Sequence, residues 1–235
     1  MAKAFLKWLS HSGFVISSPR GRTIIIDPWI ADNPMCPVEL HDITAADIVL
    51  VTHDHPDHTG NAADIVKRTG ATLIAAPETA HKFQSRAGVP VENVVYGGSG
   101  MNIGGEIQLK GITITMTQAV HSSDTASPAG YIVKLENGIV IYHAGDTGIF
   151  ESMRLLGQLY RMHVALLPIG GVFTMDPFQA SKALTLLKPK VAIPMHYKTL
   201  PMLEQDASRF VKSAKEEAPG VQVIVLEPGQ EYILG

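Results

Sequence analysis

A chain of 235 residues, 46% of them hydrophobic, can bury a substantial core and has the size of a single layered α/β domain, expected here over residues 1–235. Its 22 acidic and 19 basic side chains leave a formal charge of -3 with no basic run, so no nucleic-acid footprint is expected. Cys36 stands alone, which excludes an intrachain disulfide; with Lys7 interrupting the apolar start and no run near the roughly 20 apolar residues of a membrane span, a soluble protein without membrane insertion, in the reducing cytoplasm, is expected.

In chain order, the opening predicts three short strands, Phe5 to Ser10, Phe14 to Ser17 and Arg22 to Ile26, the last two separated by the turn formers Ser18-Pro19-Arg20-Gly21. Thr23-Ile24-Ile25-Ile26 lacks polar alternation, as a strand covered on both faces does, and it ends at Asp27-Pro28. A strand over Asp47 to Thr52, a histidine-rich loop, a helix over Asn61 to Arg68 ended by Gly70, and a strand over Thr72 to Ala76 make a βαβ unit. A helix from Glu78 to Ala87, a strand at Val94-Val95-Tyr96, a turn at Gly97-Gly98-Ser99-Gly100 and strands over Glu106 to Lys110 and Ile112 to Gln118 follow. The glycine stretch lacks the lysine and the following helix of a phosphate loop. Between Tyr131 to Leu135 and Ile139 to Tyr142, the pair Asn137-Gly138 predicts a type I′ hairpin.

The remainder alternates: helix Ile149 to Tyr160, strand Val164 to Leu167, helix Pro177 to Leu187 capped by Asp176, strand Val191 to Ile193, helix Leu203 to Glu217, and closing strands Val221 to Val225 and Glu231 to Leu234. Hairpins mixed with βα units in both halves predict an α/β fold of two sheets packed face to face with helices outside.

Chemistry concentrates in His53-Asp54-His55-Pro56-Asp57-His58. Residues two apart in an extended chain point the same way, so His53 and His55 can present two imidazoles to one ion, and Pro56 keeps His55 out of helical geometry. Asp57 and His58 project differently and can serve a second ion. Imidazole with carboxylate suits zinc, iron or manganese, and without thiolates this is no cysteine-rich structural site. A polar loop can carry histidines merely as solvated or capping groups, but three histidines and two aspartates within six residues ask for more.

These residues resemble the metallo-β-lactamase superfamily, whose signature is HxHxDH followed by a distant His, Asp and His at strand ends. His53, His55, Asp57 and His58 match the first block; His121, Asp146 and His196 match the later positions. The resemblance implies a four-layer αββα sandwich in which His53, His55 and His121 bind one metal, Asp57, His58 and His196 another, and Asp146 bridges them. It implies also that Asp27 supports the metal loop by hydrogen bonding without being a ligand. The segments His11-Ser12-Gly13-Phe14, Ile26-Asp27-Pro28, Pro168-Ile169-Gly170-Gly171 and Pro194-Met195-His196-Tyr197 look most like a branch of small metal-dependent hydrolases related to ascorbate-phosphate lactonase and N-acylphosphatidylethanolamine phospholipase D.

The reaction then expected is hydrolysis of a small molecule by a hydroxide held between two divalent ions, zinc first, with manganese, nickel or iron as alternatives. The target is the carbonyl of a lactone, ester or amide; a nucleotide or phospholipid phosphodiester is the second choice, and a di-iron redox protein or a non-catalytic metal module is remote. Asp57 is the expected orienter of the attacking water, and His11 and His143 are candidate proton donors or supports. Tyr197 and Lys198 are candidates for binding a substrate oxygen, the Gly170 to Met175 loop for facing the substrate. His41, His81 and His163 are read as structural or solvated, and a homo-oligomer is open.

Overall fold

The structure, a computed structural model, describes residues 3–234; Met1 and Ala2, the start of the N-terminal segment read above, lie outside it. Two mixed sheets face one another. The first contains β1 (Ala4–Ser10), β2 (Gly13–Ser17), β3 (Thr23–Ile26), β4 (Ile48–Leu50), β5 (Thr72–Ile74) and, at its outer edge beside β1, the last strand of the chain. Its first three strands pair antiparallel, while β3, β4 and β5 pair parallel, the first crossover a long loop with one 3-10 turn at Leu40–Asp42 and the second helical. The one-turn α1 (Pro56–Thr59) and α2 (Ala62–Thr69) join β4 to β5, and α3 (Pro77–Ala87) follows.

The second sheet repeats the plan. β6 (Glu106–Leu109), β7 (Ile112–Gln118), β8 (Ala129–Lys134) and β9 (Val140–His143) form an antiparallel meander. After α4 (Met153–Leu159), β10 (Val164–Pro168), α5 (Pro177–Leu187), β11 (Val191–Met195), α6 (Ser208–Glu217) and β12 (Gln222–Val223) continue it in parallel, and β13 (Glu231–Leu234) crosses back to the first sheet. The four-layer α/β sandwich expected from the sequence is the architecture found.

Burial explains the layering. Ile24, Ile25 and Ile26 are fully buried, even-numbered ones among the side chains between the sheets and Ile25 beneath α2 and α3, as an unalternating strand demands. Each such side chain contributes about 1.5–3 kcal/mol. Tyr131 locks the sheets at the end that matters: its hydroxyl lies 2.9 Å from Val51 O and 3.1 Å from Ile74 O, at the exits of β4 and β5.

Four local expectations change. Val94 makes only an isolated bridge to Leu73, and Tyr96 turns to φ 54°, so no strand forms there. The β8–β9 hairpin is not type I′: of its tip residues Gly138 alone has positive φ, and Leu135 pairs with Ile139 around three loop residues, a turn followed by a left-handed glycine. A one-turn helix begins at Pro56, where a missing N–H costs nothing. Helices α4 and α6 begin later than expected, their predicted first turns being loop.

Among the described residues no helix is long and apolar enough to cross a membrane.

Candidate metal centre

The sequence-predicted residues converge from loops that leave β4, β7, β9 and β11. His53 and His55 follow β4, His53 in a bend and His55 on extended backbone with ψ 148°, immediately before α1. Asp57 and His58 occupy the first turn of that helix, where successive side chains diverge by about 100°. His121 follows β7, Asp146 follows β9, and His196 follows β11. Ligating atoms within 4.8 Å of one another group His53, His55 and His121 in one cluster and His11, Asp57, His58 and His196 in a second; a third set, His53, His58 and Asp146, overlaps both.

Asp146 is the hub. Its Oδ2 lies 2.9 Å from His196 Nε2, 3.3 Å from His58 Nε2 and 3.7 Å from His121 Nε2. Gly145 lets the chain deliver it: φ is 63°, and a Cβ would lie 2.4 Å from Ala129 O. Burial alone would raise the Asp146 carboxyl, but the imidazoles of His196 and His58 hold it well below the usual range.

Hydrogen bonds set the ring tautomers. Thr52 donates its N–H and its hydroxyl to the buried Asp27 carboxylate at 2.8 and 2.7 Å, and His58 Nδ1–H donates to the same group at 2.7 Å. Since the Thr52 hydroxyl proton is committed, its oxygen accepts from His53 Nδ1–H at 3.0 Å. Both rings therefore turn Nε2 toward the cluster, the arrangement by which outer carboxylates orient metal-binding histidines.

These donors fit a divalent cation. His58 Nε2 and Asp146 Oδ1 are buried with no hydrogen-bond partner, and His53 Nε2 faces His55 Nδ1 at 2.9 Å. Lone pairs so gathered repel unless a proton or cation lies among them. Burial would push His58 down, but Asp146 and Asp27 hold it well above the ordinary histidine value; His53 is lowered to about 2 by burial and then by neighbouring His58. Imidazoles with carboxylates and no thiolate suit zinc and its neighbours.

His11 joins the cluster. It sits at the β1–β2 turn with φ 52°, fully buried, its Nε2 3.0 Å from Asp57 Oδ2 and its Nδ1 2.5 Å from Thr199 Oγ1. Burial lowers its pKa to about 4 against the opposing bond to Asp57; Asp57 in turn is held below the usual carboxylate range, burial notwithstanding, chiefly by His11. His143 does not serve as a proton donor to the cluster. Its Nε2–H is spent on Ser12 O at 2.9 Å and its Nδ1 accepts from Gly145 N–H at 3.1 Å, so it braces the backbone that delivers Asp146.

Other expectations divide. Tyr197 is buried and stacks on Trp8 with centroids 5.4 Å apart, and Lys198 pairs with Glu227 at 3.6 Å on the surface. Met175 is core, whereas Phe173 is 51% exposed. His41 pairs with Glu39, His81 is exposed on α3, and His163 accepts from Val140 N–H.

Sequence reasoning missed Asp54. Its buried carboxylate accepts from Lys82 Nζ at 2.9 Å, Ser123 Oγ at 2.6 Å and Asp124 N–H at 2.8 Å, tying the His53–His55 loop to α3 and to the loop that carries His121. Only its place inside the histidine run hinted at this. Thr52 and Thr199 carried no motif.

Comparison with known proteins bears on this site. A family model described as a beta-lactamase superfamily domain matches residues 22–197. A UPF0173 metal-dependent hydrolase of Lawsonia intracellularis is 47% identical over 221 residues, covering 94% of this chain and 95% of its own. One from Caldivirga maquilingensis is 46% identical over 226 residues, covering 96% of each. Among solved structures, Igni18, described as a novel metallo hydrolase from the hyperthermophilic archaeon Ignicoccus hospitalis, aligns with a TM-score of 0.88 and 38% identity over 100% of this chain and 99% of its own.

Proposed function

Since the chain belongs to the metallo-β-lactamase superfamily and is a metal-dependent hydrolase, we propose that it hydrolyses a carbonyl compound, a lactone, ester or amide, at a centre of two divalent ions held by the clustered histidines and aspartates. His53, His55 and His121 would hold one ion, Asp57, His58 and His196 the other, with Asp146 shared. Zinc is the first candidate, then manganese, nickel and iron. The single observation behind the two-ion reading is the overlap of two ligand groups around one buried carboxylate. Bound ions would supply water acidified to a pKa of about 7 and positive charge for the substrate oxygen.

The remaining work falls to this chain's side chains. Asp57 would orient the attacking water and take up its proton. His11, at 3.0 Å from Asp57 Oδ2, would hold that carboxylate, itself fixed by Thr199. Asp27 and Thr52 would keep His58 and His53 facing inward. The lone cysteine, Cys36, supports the reducing cytoplasm as the compartment.

The test is a panel of chromogenic lactones, esters and phosphodiesters, assayed on protein stripped with chelator and reloaded with zinc, manganese or nickel, with metal content measured in parallel. Two equivalents of metal with carbonyl-ester turnover is the expected result; one equivalent, or turnover confined to phosphodiesters, refutes it.

A further inference from the structure

We infer that the substrate of this centre is an uncharged acyl compound whose apolar portion lodges between Trp29 and Leu200, an inference that rests on the hydrolase reading above. A cavity of about 540 Å³ opens beside Asp57 and is lined by Trp29 and Leu200, a volume suited to a small-molecule group. It thus shares a residue with the ligand cluster. A cavity of similar size along α3, with His81, Lys82 and Arg86 in its wall, includes none of the clustered residues.

The walls are indexed to the centre. Trp29 lies two residues past Asp27, and its indole meets the His11 ring edge-on with centroids 5.1 Å apart. Leu200 directly follows Thr199, which bonds His11. Displacing either wall therefore disturbs the residue that holds Asp57.

The floor is built rather than incidental. Asn61 N–H donates to Pro28 O at 2.8 Å, while its side-chain oxygen accepts from Ile30 N–H at 3.2 Å and Ala31 N–H at 2.9 Å. Gly60 permits this approach, because a Cβ there would lie 2.4 Å from Pro28 O. A cavity held by backbone bonds is preorganised and loses little on binding.

Charge selects the ligand class. The lining contains Asp32 and Asp57 but no lysine, arginine or histidine. A phosphodiester lodged there would face Asp32 with no guanidinium or ammonium to balance it. An uncharged group escapes that repulsion and gains by covering the indole and Leu200. The loops at the other side agree: Val120, beside His121, is 50% exposed, and Val172 and Phe173, on the loop bonded to Thr147 through Met175, are 73% and 51% exposed.

The experiment uses Trp29 as its own reporter. The only other tryptophan, Trp8, is 1% exposed. Metal-loaded protein is titrated with a hexyl-substituted δ-lactam, with methyl hexyl phosphate and with hexyl trimethylammonium, while fluorescence is followed; hydrolysis of 4-nitrophenyl hexanoate and acetate is measured alongside. We expect saturable binding of the lactam alone, about tenfold weaker in Leu200→Ala, with no signal in Trp29→Phe. The hexanoate should be favoured over the acetate in kcat/KM by roughly tenfold, a preference lost in Leu200→Ala, and Asp32→Lys should let the phosphate bind. Tighter binding of either charged probe overturns the inference, as does ester turnover with no chain-length preference and no Trp29 response, which leaves the hydrolase reading standing. Lactam binding at Trp29 without turnover of any ester or lactone supports the cavity assignment and refutes the hydrolase reading.

Discussion

Asp27 accepts three hydrogen bonds with two oxygens, so it can be tested without changing its shape. In Asp27→Asn one oxygen becomes an NH2 group, which cannot accept; a donor from Thr52 or His58 then meets a donor, and relief comes by moving the His58 proton to Nε2. Metal affinity should fall by about 10–100-fold, measured by competition with a chromogenic chelator. Unchanged affinity would mean that the His58 tautomer is set elsewhere. Asp57 calls for the opposite pattern: its carboxylate hydrogen-bonds to His11 at 3.0 Å and is partly exposed. Asp57→Ala should lower kcat/KM by about 10²–10⁴-fold or more while circular dichroism and the denaturation midpoint of the metal-free protein stay near those of the metal-free parent; full activity sinks the assigned role. At this scale the donor-rich run His53 to His58 was legible because its residue types are rare in such density. The positive φ angles of His11, Asp27 and His196 were not, since non-glycine residues take them only where surrounding contacts impose them.

Elements show where local chemistry suffices and where it fails. The bounds of α5 were readable to the residue because Asp176, Pro177 and an unbroken apolar pattern agree, and Asp176 accepts from Gln179 N–H at 2.7 Å. Asp176→Ala should therefore cost about 1 kcal/mol in chemical denaturation and leave turnover unchanged, since the cap touches nothing in the ligand cluster. The start of α6 was misplaced because Leu203 fits a helical pattern but is core in a loop, and Asp206, one residue before the Ala207 cap, accepts from Ser208 N–H in the turn that enters the helix. Between elements, Asp54 joins segments 28 and 69 residues away, a pairing without local trace. Removing one partner of such a buried pair leaves the other uncompensated. Asp54→Ala should lower stability by about 2–4 kcal/mol by urea titration; a loss under 1 kcal/mol would mean that solvent satisfies Lys82 and Ser123.

The whole molecule adds what neither scale carries, the division of labour between sheets. β12 and β13 are separated by only a short loop, yet they edge different sheets, which no composition or periodicity announced. The ligand cluster spans the same division: His53, His55, Asp57 and His58 follow β4 of the first sheet, and His121, Asp146 and His196 follow strands of the second. Close to it, the sheets meet through Tyr131 and through Ala129 N–H on Thr52 O at 3.0 Å. Ions that bind the assembled cluster and not the unfolded chain stabilise by mass action, about 2.7 kcal/mol at a free concentration 100 times Kd. For a chain of this length that corresponds to roughly 5–10 °C in Tm. Stripping the metal with chelator should lower Tm by about that much, and zinc or manganese should restore it. In Asp146→Asn the same metal addition should recover much less, because the ligand common to both groups has lost its charge. A Tm indifferent to chelation in the parent would show that the two sheets are held without the ions, and that the cluster contributes chemistry alone.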